Sequence, residues 1–458
     1  MSGVCIENSL TEIEQIMKSI SIYIHIPFCV KKCQYCDFLS APADSRAQEV
    51  YLRALKQEIR EQAARYREYE VQTVFIGGGT PTAVPCEKLC EVLKTVFTCY
   101  RVNPQAEISM EANPGTVTKE ALLSYRKAGI NRLSIGLQST DDGELKLLGR
   151  IHTYRDFLQT YRWAQEAGFT NINLDIMSAL PGQSVENYKK SLETVLSLRP
   201  QHISAYSLIV EEGTPFYEKY GQESEKLQAT GEKQPDLPSE EEEREMYALT
   251  EKLLAAAGYH RYEISNYALP GRECRHNLVY WKRGNYVGFG LGAASMVENV
   301  RFENIREMQE YLAEYAGMPD AEPVFAEVAQ GDAQVLSNEQ EFSLREDTHS
   351  ENEQELSLRE DTHSENEQEL SIRENVHPLS PQEQMEETMF LGLRLTEGVS
   401  KAEFHRQFGV SMEQIYGEVI QENIAQGLLA DEAGYVCLTR EGMDLSNYVM
   451  AQFLLDEV

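Results

Sequence analysis

Cysteine is sparse in this sequence, and unevenly placed. Nine cysteines in 458 residues fall far short of the density of a small secreted scaffold held by disulfide bridges. Positive charge is sparse as well: 42 Lys and Arg stand against 74 Asp and Glu, a formal net charge of −32. Such a balance disfavours a broad electrostatic contact with nucleic acid and is repelled by anionic lipid. The longest apolar runs stop well short of the roughly 20 residues that cross a membrane. Residues 1–20 carry Glu7, Glu12 and Glu14 and lack the basic start and apolar run of a signal peptide. The expectation is a cytoplasmic protein with no transmembrane segment and no nucleic-acid partner.

Part of the acidity is local. Residues 339–380 hold thirteen acidic and three basic residues in a tandem repeat with a period of fourteen: EQEFSLREDTHSEN, EQELSLREDTHSEN and EQELSIRENVHPLS. Each unit offers about two apolar residues, such as Phe342 and Leu344, too few to offset the entropy of ordering. A flexible linker or a marginal helix is expected there. His349, His363 and His377 recur in it, a dilute and polar set for metal binding.

The remaining composition divides the chain into an appendage at 1–16, an α/β unit at 17–305, a linker at 306–382 that carries the repeats, and a C-terminal unit at 383–458. The last is helical with a winged-helix-like hairpin around Glu432, Ala433 and Gly434. It is acid-rich, so packing or partner contact is favoured over DNA binding. Residues 221–244 are polar and acidic and read as a loop or insertion.

From residue 20 onward short β-branched and aromatic runs alternate with longer segments of helical period. The strand candidates are SIYIHI (21–26), VQTVFIG (71–77), AEISMEA (106–112), NRLSIGL (131–137), NINLDIM (171–177) and HISAYSLI (202–209). Six strands spaced by helices imply βαβ units and a parallel sheet, either an open doubly wound sheet or a full or partial (β/α) barrel. Each strand runs straight into an unusual turn: CVKKCQYC, GGGTP, EANPG, GLQS, LPGQ and SLIVEEGTP. In a parallel barrel all six turns line one mouth, where barrel enzymes place their sites.

The first of these turns concentrates the cysteines. Cys29, Cys33 and Cys36 have the spacing C-x3-C-x2-C. Buried inert thiols, a zinc site with His25 as fourth ligand, and an iron–sulfur cubane are the three readings. Three thiolates without an obvious fourth leave one iron of a cubane open, a catalytic arrangement. The GGGTP turn (77–81) offers bare backbone N–H groups where side chains would clash. It suits a ligand with a carboxylate and an amine, or a phosphate, but it is not a P-loop because no Gly-Lys-Ser/Thr follows.

The cysteine loop with an aromatic before its last cysteine, followed by GGGTP, resembles the radical S-adenosylmethionine superfamily. Further segments extend the resemblance: YIHIPFC, EANP, RLSIGLQS, LGRIH, LPGQ, HISAYSLIVEEGTPFY, YEISNYA, CRHNLVYW and GFGLGAAS. Together they cover most of residues 20–305, and the C-terminal unit from about 383 fits as well. The set is similar to the branch of the oxygen-independent coproporphyrinogen III oxidases, and more closely to the radical SAM haem chaperones.

The resemblance implies a partial (β/α)6 barrel of TIM type and a [4Fe–4S] cluster on Cys29, Cys33 and Cys36. It implies S-adenosylmethionine cleaved reductively to a 5′-deoxyadenosyl radical, and hence a reductant as partner. Tyr23, Gly78 and Glu111 would contact the adenosylmethionine on iron. Tyr35, Gly79, Thr80, Gln138, Arg150 and Asp175 match positions near a second adenosylmethionine in the oxidase. HNLVYW (276–281) resembles the H-N-x-x-Y-W haem motif of the chaperones, with His276 as axial ligand, Cys274 as the alternative, and a Tyr–Trp pair to stack on the macrocycle. No catalytic residue is assigned.

Two features favour the chaperone, with haem and haem-accepting proteins as partners. Phe38 stands where the oxidases carry a further cysteine, with only 28 residues before Cys29 where they have a longer extension, and HNLVYW resembles the chaperones' haem motif. The oxidase, and a radical SAM enzyme on another substrate, are the alternatives. Relatives tend to have Tyr-Gly near Met177, Ser178 and Ala179, and many have Pro and His in place of Leu291 and Ala294.

Overall fold

The computed structural model describes residues 17–221, 235–316 and 373–455. The appendage, the first two repeat copies with His349 and His363, and the first six residues of the third copy lie outside the described residues.

Six parallel strands follow the βα rhythm: β1 (Lys18–Ile26), β2 (Tyr69–Gly78), β3 (Val102–Ala112), β4 (Arg132–Gln138), β5 (Ile172–Ser178) and β6 (His202–Ser207). The chain returns between them through α1 (Ser45–Gln62), α2 (Cys86–Cys99), α3 (Lys119–Ala128), α4 (Asp142–Leu147), α5 (Tyr154–Glu166) and α6 (Val185–Leu198), and α7 (Pro215–Tyr220) and α8 (Glu240–Ala256) follow β6. This is the α/β, partial (β/α)6 arrangement expected from the sequence.

The strands alternate, and both of their faces are buried. Ile20, Ile22, Ile24 and Ile26 of β1 join Val74 and Ile76 of β2 in one apolar cluster with Tyr51, Leu55 and Ile59 of α1. Truncating one such side chain costs about 2–5 kcal/mol. The opposite faces carry Ser21, Thr73, Glu107, Ser109, Arg132, Ser134, Asn173, His202 and Ser204, all buried. The inner face is therefore polar, and its groups must be satisfied by one another or by a ligand.

The sheet is larger than the sequence pattern suggests. On the other side of β1 it continues through β9 (Tyr286–Phe289), which is parallel to β1, and then antiparallel through β10 (Ala294–Val297), β11 (Val300–Asn304) and β12 (Arg373–Pro378). Beyond β6 come β8 (Asn266–Ala268) and β7 (His260–Arg261), both antiparallel. Twelve strands form one sheet whose two edges do not pair, so the barrel stays open.

Strand β12 corrects the reading of the repeats as linker or marginal helix. It is the tail of the third copy, in which RENVHP replaces the REDTHS of the other two. Backbone pairing to β11 needs no apolar face of its own. Arg373 anchors the strand: its guanidinium lies 4.0 Å from the Phe302 ring centroid and donates to Gln62. His377 bonds Glu383 at 2.6 Å rather than joining a metal set. Helix α10 (Met308–Ala316) likewise packs on α1 inside the span read as linker. Residues 240–244, read as loop, open α8. Ser239 and Glu242 form a capping box there, and four glutamates occupy the positive end of the helix dipole.

The C-terminal unit comprises α11 (Pro381–Gly392), α12 (Lys401–Phe408), α13 (Met412–Ala425), α14 (Arg440–Asp444) and α15 (Ser446–Ala451), with β13 (Val399–Ser400), β14 (Leu429–Glu432) and β15 (Tyr435–Leu438). The hairpin β14–β15 turns at Ala433 and Gly434, as expected. Met389, Phe404, Tyr416, Val436 and Phe453 form its separate core. It is tied to the barrel by Glu387, which bonds Arg283 at 2.9 Å and Arg301 at 2.7 Å.

Candidate functional site

Alternation along the strands aims one row of side chains into the open barrel. Tyr23, Phe75, Glu111, Arg132, Ser134, Gly136, Gln138, Asn173, Asp175, Met177, Ser204 and Tyr206 all line one cavity of about 550 Å³, a size suited to a ligand site. Each of the thirteen residues proposed from sequence lines this same cavity: Tyr23, Cys29, Cys33, Tyr35, Cys36, Gly78, Gly79, Thr80, Glu111, Gln138, Arg150, Asp175 and His276.

The cysteine loop lies at the mouth. Two donors already point at its sulfurs: the Thr80 hydroxyl at 3.4 Å from Cys29 Sγ, and Arg150 Nη1 at 3.6 Å from Cys33 Sγ. Such donors stabilise thiolate sulfur. Burial, reinforced by Cys33 and Cys29, pushes the Cys36 thiol up to about 11 while it is a free thiol. Three cysteines on one loop, two of them already met by donors, form a donor set that fits a cubane, in which each thiolate takes a different iron.

His25 is not the fourth ligand weighed from sequence. Its Nε2 lies 2.9 Å from the Leu39 carbonyl and so donates to it, and its Nδ1 accepts from the Tyr23 hydroxyl at 3.0 Å. The ring fastens the end of the cysteine loop to β1.

The glycine turn works differently from the sequence reading. The N–H of Gly78 donates to Glu111 Oε2 at 3.2 Å, that of Gly79 to the Ile26 carbonyl at 2.9 Å, and that of Thr80 to the Phe28 carbonyl at 2.7 Å. These amides are not bare. What forbids side chains is the protein itself: a Cβ on Gly79 would stand 2.7 Å from the Phe28 carbonyl oxygen, and one on Gly78 2.5 Å from the His25 ring. Gly78 also has φ +109, which favours glycine.

Titratable groups crowd the upper cavity. Burial, with the Asp175 charge second, pushes Glu111 up to about 8. Burial also raises Asp175, against a hydrogen bond from Asn173. Arg150 donates to the Gly136 carbonyl at 2.7 Å and to Asn113 Oδ1. Gln138 takes φ +70, and its Oε1 is buried with no hydrogen-bond partner, open to a ligand donor.

His276 lies at the floor, on the short helix α9 (Arg275–Trp281), an element not legible in the sequence. Glu107 accepts from the N–H groups of Arg275 at 3.1 Å and His276 at 3.2 Å and so holds the start of that helix. The ring stacks on Phe75, with centroids 5.2 Å apart. Burial, with Arg132 second, drives its pKa down to about 3, so the imidazole is neutral.

Tyr280 and Trp281 do not form one stacking face. Neighbours on a helix diverge by about 100°: Tyr280 turns to the cavity, whereas Trp281 lies under Arg394 of the C-terminal unit, 4.4 Å from its ring centroid. Cys274 is fully buried beside Glu107 and does not line the cavity.

Comparison with known proteins agrees with this geometry. Residues 23–195 match the Radical SAM superfamily and residues 379–445 the HemN C-terminal domain. The heme chaperone HemW of Bacillus subtilis (strain 168) is 35% identical over 435 residues, covering 95% of this chain and 99% of the relative. The chain belongs to the HemW heme chaperone family. The HemW proteins of Lactococcus lactis subsp. lactis (strain IL1403), 32% identical over 97% of this chain and 99% of theirs, and of Escherichia coli (strain K12), 39% identical over 61% of this chain and 70% of theirs, are further relatives. The coproporphyrinogen III oxidase (HemN) of Escherichia coli superposes with a TM-score of 0.72 at 20% identity, over 96% of this chain and 91% of that one; this shows a shared fold. Membership of the HemW family within the radical SAM superfamily implies a [4Fe–4S] cluster and S-adenosylmethionine as cofactors. No helix among the described residues is long and apolar enough to cross a membrane.

Sequence reasoning missed Arg132 and Asn173 as cavity residues. Arg132 opens a strand and reads there as an ordinary strand end. Only the alternation with Ser134, Gly136 and Gln138 could have placed it inside.

Proposed function

We propose that the chain binds haem and passes it to haem-requiring proteins in the cytoplasm, with a reductant serving the cluster. The observation that carries this reading is the match to HemW proteins along 95% of the chain. It is supported by the single cavity that gathers the cysteine loop, the strand-end residues and His276.

Cys29, Cys33 and Cys36 hold the cluster, and Thr80 and Arg150 donate to its thiolates. When bound, the cluster supplies an open iron and an electron. Tyr23, Gly78 and Glu111 face the adenosylmethionine on that iron. Tyr35, Gly79, Thr80, Gln138, Arg150 and Asp175 form the adjoining wall that suits a second adenosylmethionine. His276 offers a neutral imidazole for haem iron. His349 and His363 are left without a role.

Haem titration of the anaerobically reconstituted protein tests the reading. A Soret shift that disappears in His276→Ala is expected. Conversion of coproporphyrinogen III to its divinyl product would move the chain to the oxidase reading.

A further inference from the structure

Arg132 is the anomaly of the cavity. The residue is only 2% exposed, yet among the described residues its Nε has no hydrogen-bond partner and it forms no salt bridge. A buried guanidinium in that state is costly unless an anion completes it.

Glu107 and Asp175 act on the guanidinium across space and help keep it charged against burial, but neither bonds it, and both carboxylates already accept other hydrogen bonds. Glu107 caps the start of α9 through two backbone N–H groups. Asp175 accepts from Asn173 at 2.7 Å and from Ser134 at 3.4 Å. Arg132 lines the cavity together with Asn277, whose carboxamide makes no hydrogen bond among the described residues. The cavity joins this floor to the cysteine loop without a break.

We propose that Arg132 and Asn277 form a carboxylate-binding floor, and that a ligand entering from the cysteine end seats its acidic group there. A planar guanidinium suits a carboxylate, which it grips with two parallel bonds. The chemistry is a free carboxylate, carried either by a porphyrin side chain or by the amino-acid end of adenosylmethionine. The first source rests on the haem reading above, and the second does not.

The test compares each acid with its neutral counterpart on the cluster-loaded protein: haem against haem dimethyl ester, and adenosylmethionine against its decarboxylated form. The wild type is expected to prefer at least one free acid by roughly ten- to hundredfold, the scale of a charge-assisted hydrogen bond. Arg132→Gln removes that preference and leaves binding of the neutral partner unchanged, whereas Arg132→Lys keeps part of it. A preference in the haem pair that Arg132→Gln removes assigns the floor to a porphyrin carboxylate, and one in the other pair that Arg132→Gln removes assigns it to adenosylmethionine. Failure of haem to bind in either form defeats the haem reading, and the adenosylmethionine pair then decides this one. Absence of preference in every pair that binds, or a preference that survives Arg132→Gln, overturns it. Should Arg132→Gln not fold, the wild-type preference and its reduction in Arg132→Lys carry the decision.

Discussion

The hydroxyl of Tyr280 stands 2.8 Å from Nε2 of His276, one helical turn away. On the other side of the ring, the Thr73 hydroxyl donates to Ser21 at 2.8 Å and lies 2.7 Å from Nδ1. Thr73 therefore accepts from Nδ1–H, and the Nε2 lone pair faces the Tyr280 O–H. The nitrogen that would ligate an iron is covered by a residue of its own motif.

Tyr280→Phe uncovers that lone pair. Haem affinity should rise roughly three- to tenfold, because one hydrogen bond of about 0.5–1.5 kcal/mol no longer has to break. Soret titration measures this. Weaker binding in the variant would mean that Tyr280 holds the haem rather than covering the ligand.

Gly79→Ala drives a methyl group into the Phe28 carbonyl. The expected destabilisation is on the order of 1–3 kcal/mol, concentrated where β2 meets the cysteine loop. Iron and sulfide retained per chain after gel filtration should fall. Full retention would show that the turn has slack.

Glu58 makes stability depend on pH in a defined direction. Its carboxylate accepts from Gly290 N–H at 2.8 Å, the Tyr311 hydroxyl at 2.6 Å and Asn304 at 2.6 Å, joining α1 to the region after β9. Burial outweighs these donors and raises its pKa from 4.5 to about 7. Between those values the folded chain keeps a proton that the unfolded chain has lost, so the contribution is full below 4.5 and is lost as pH rises through about 7. Relative to Glu58→Gln, the wild type should lose about 3 kcal/mol across that window. Urea melts at pH 5, 6, 7 and 8 give the difference curve, and parallel curves for the two proteins would contradict the assignment.

Glu387→Ala strands the buried Arg283 guanidinium and frees Arg301. Breaking such a buried pair costs about 3–5 kcal/mol. Hydrogen exchange should accelerate in α11 and α9 before the β1–β6 strands respond. Uniform acceleration would indicate that the C-terminal unit and the barrel unfold together.

Much of this was legible beforehand, for reasons that particular residues make clear. The alternation S-I-Y-I-H-I in β1 announces a strand with two kinds of face, and the resemblance to the radical SAM family, carried over position by position, led to thirteen residues that line the cavity. The helix of HNLVYW was not legible, because six residues with a short apolar run carry too little periodicity to separate helix from strand. Strand β12 escaped because its pairing lies in the backbone, whereas the repeat was judged by its side chains. Strand β9 escaped because YVGF is short and lies far from the βα rhythm. The turn GGGTP was found for its glycines but misread, since only coordinates show that His25 and Phe28 occupy the space beside them.

Iron–sulfur analysis of the anaerobically reconstituted protein, with Mössbauer and EPR spectra recorded before and after adding S-adenosylmethionine, tests the central claim most directly. About four irons and four sulfides per chain, and a spectrum that changes at one iron on addition, are predicted. Zinc in place of iron, or a cubane whose spectrum ignores adenosylmethionine, would contradict it.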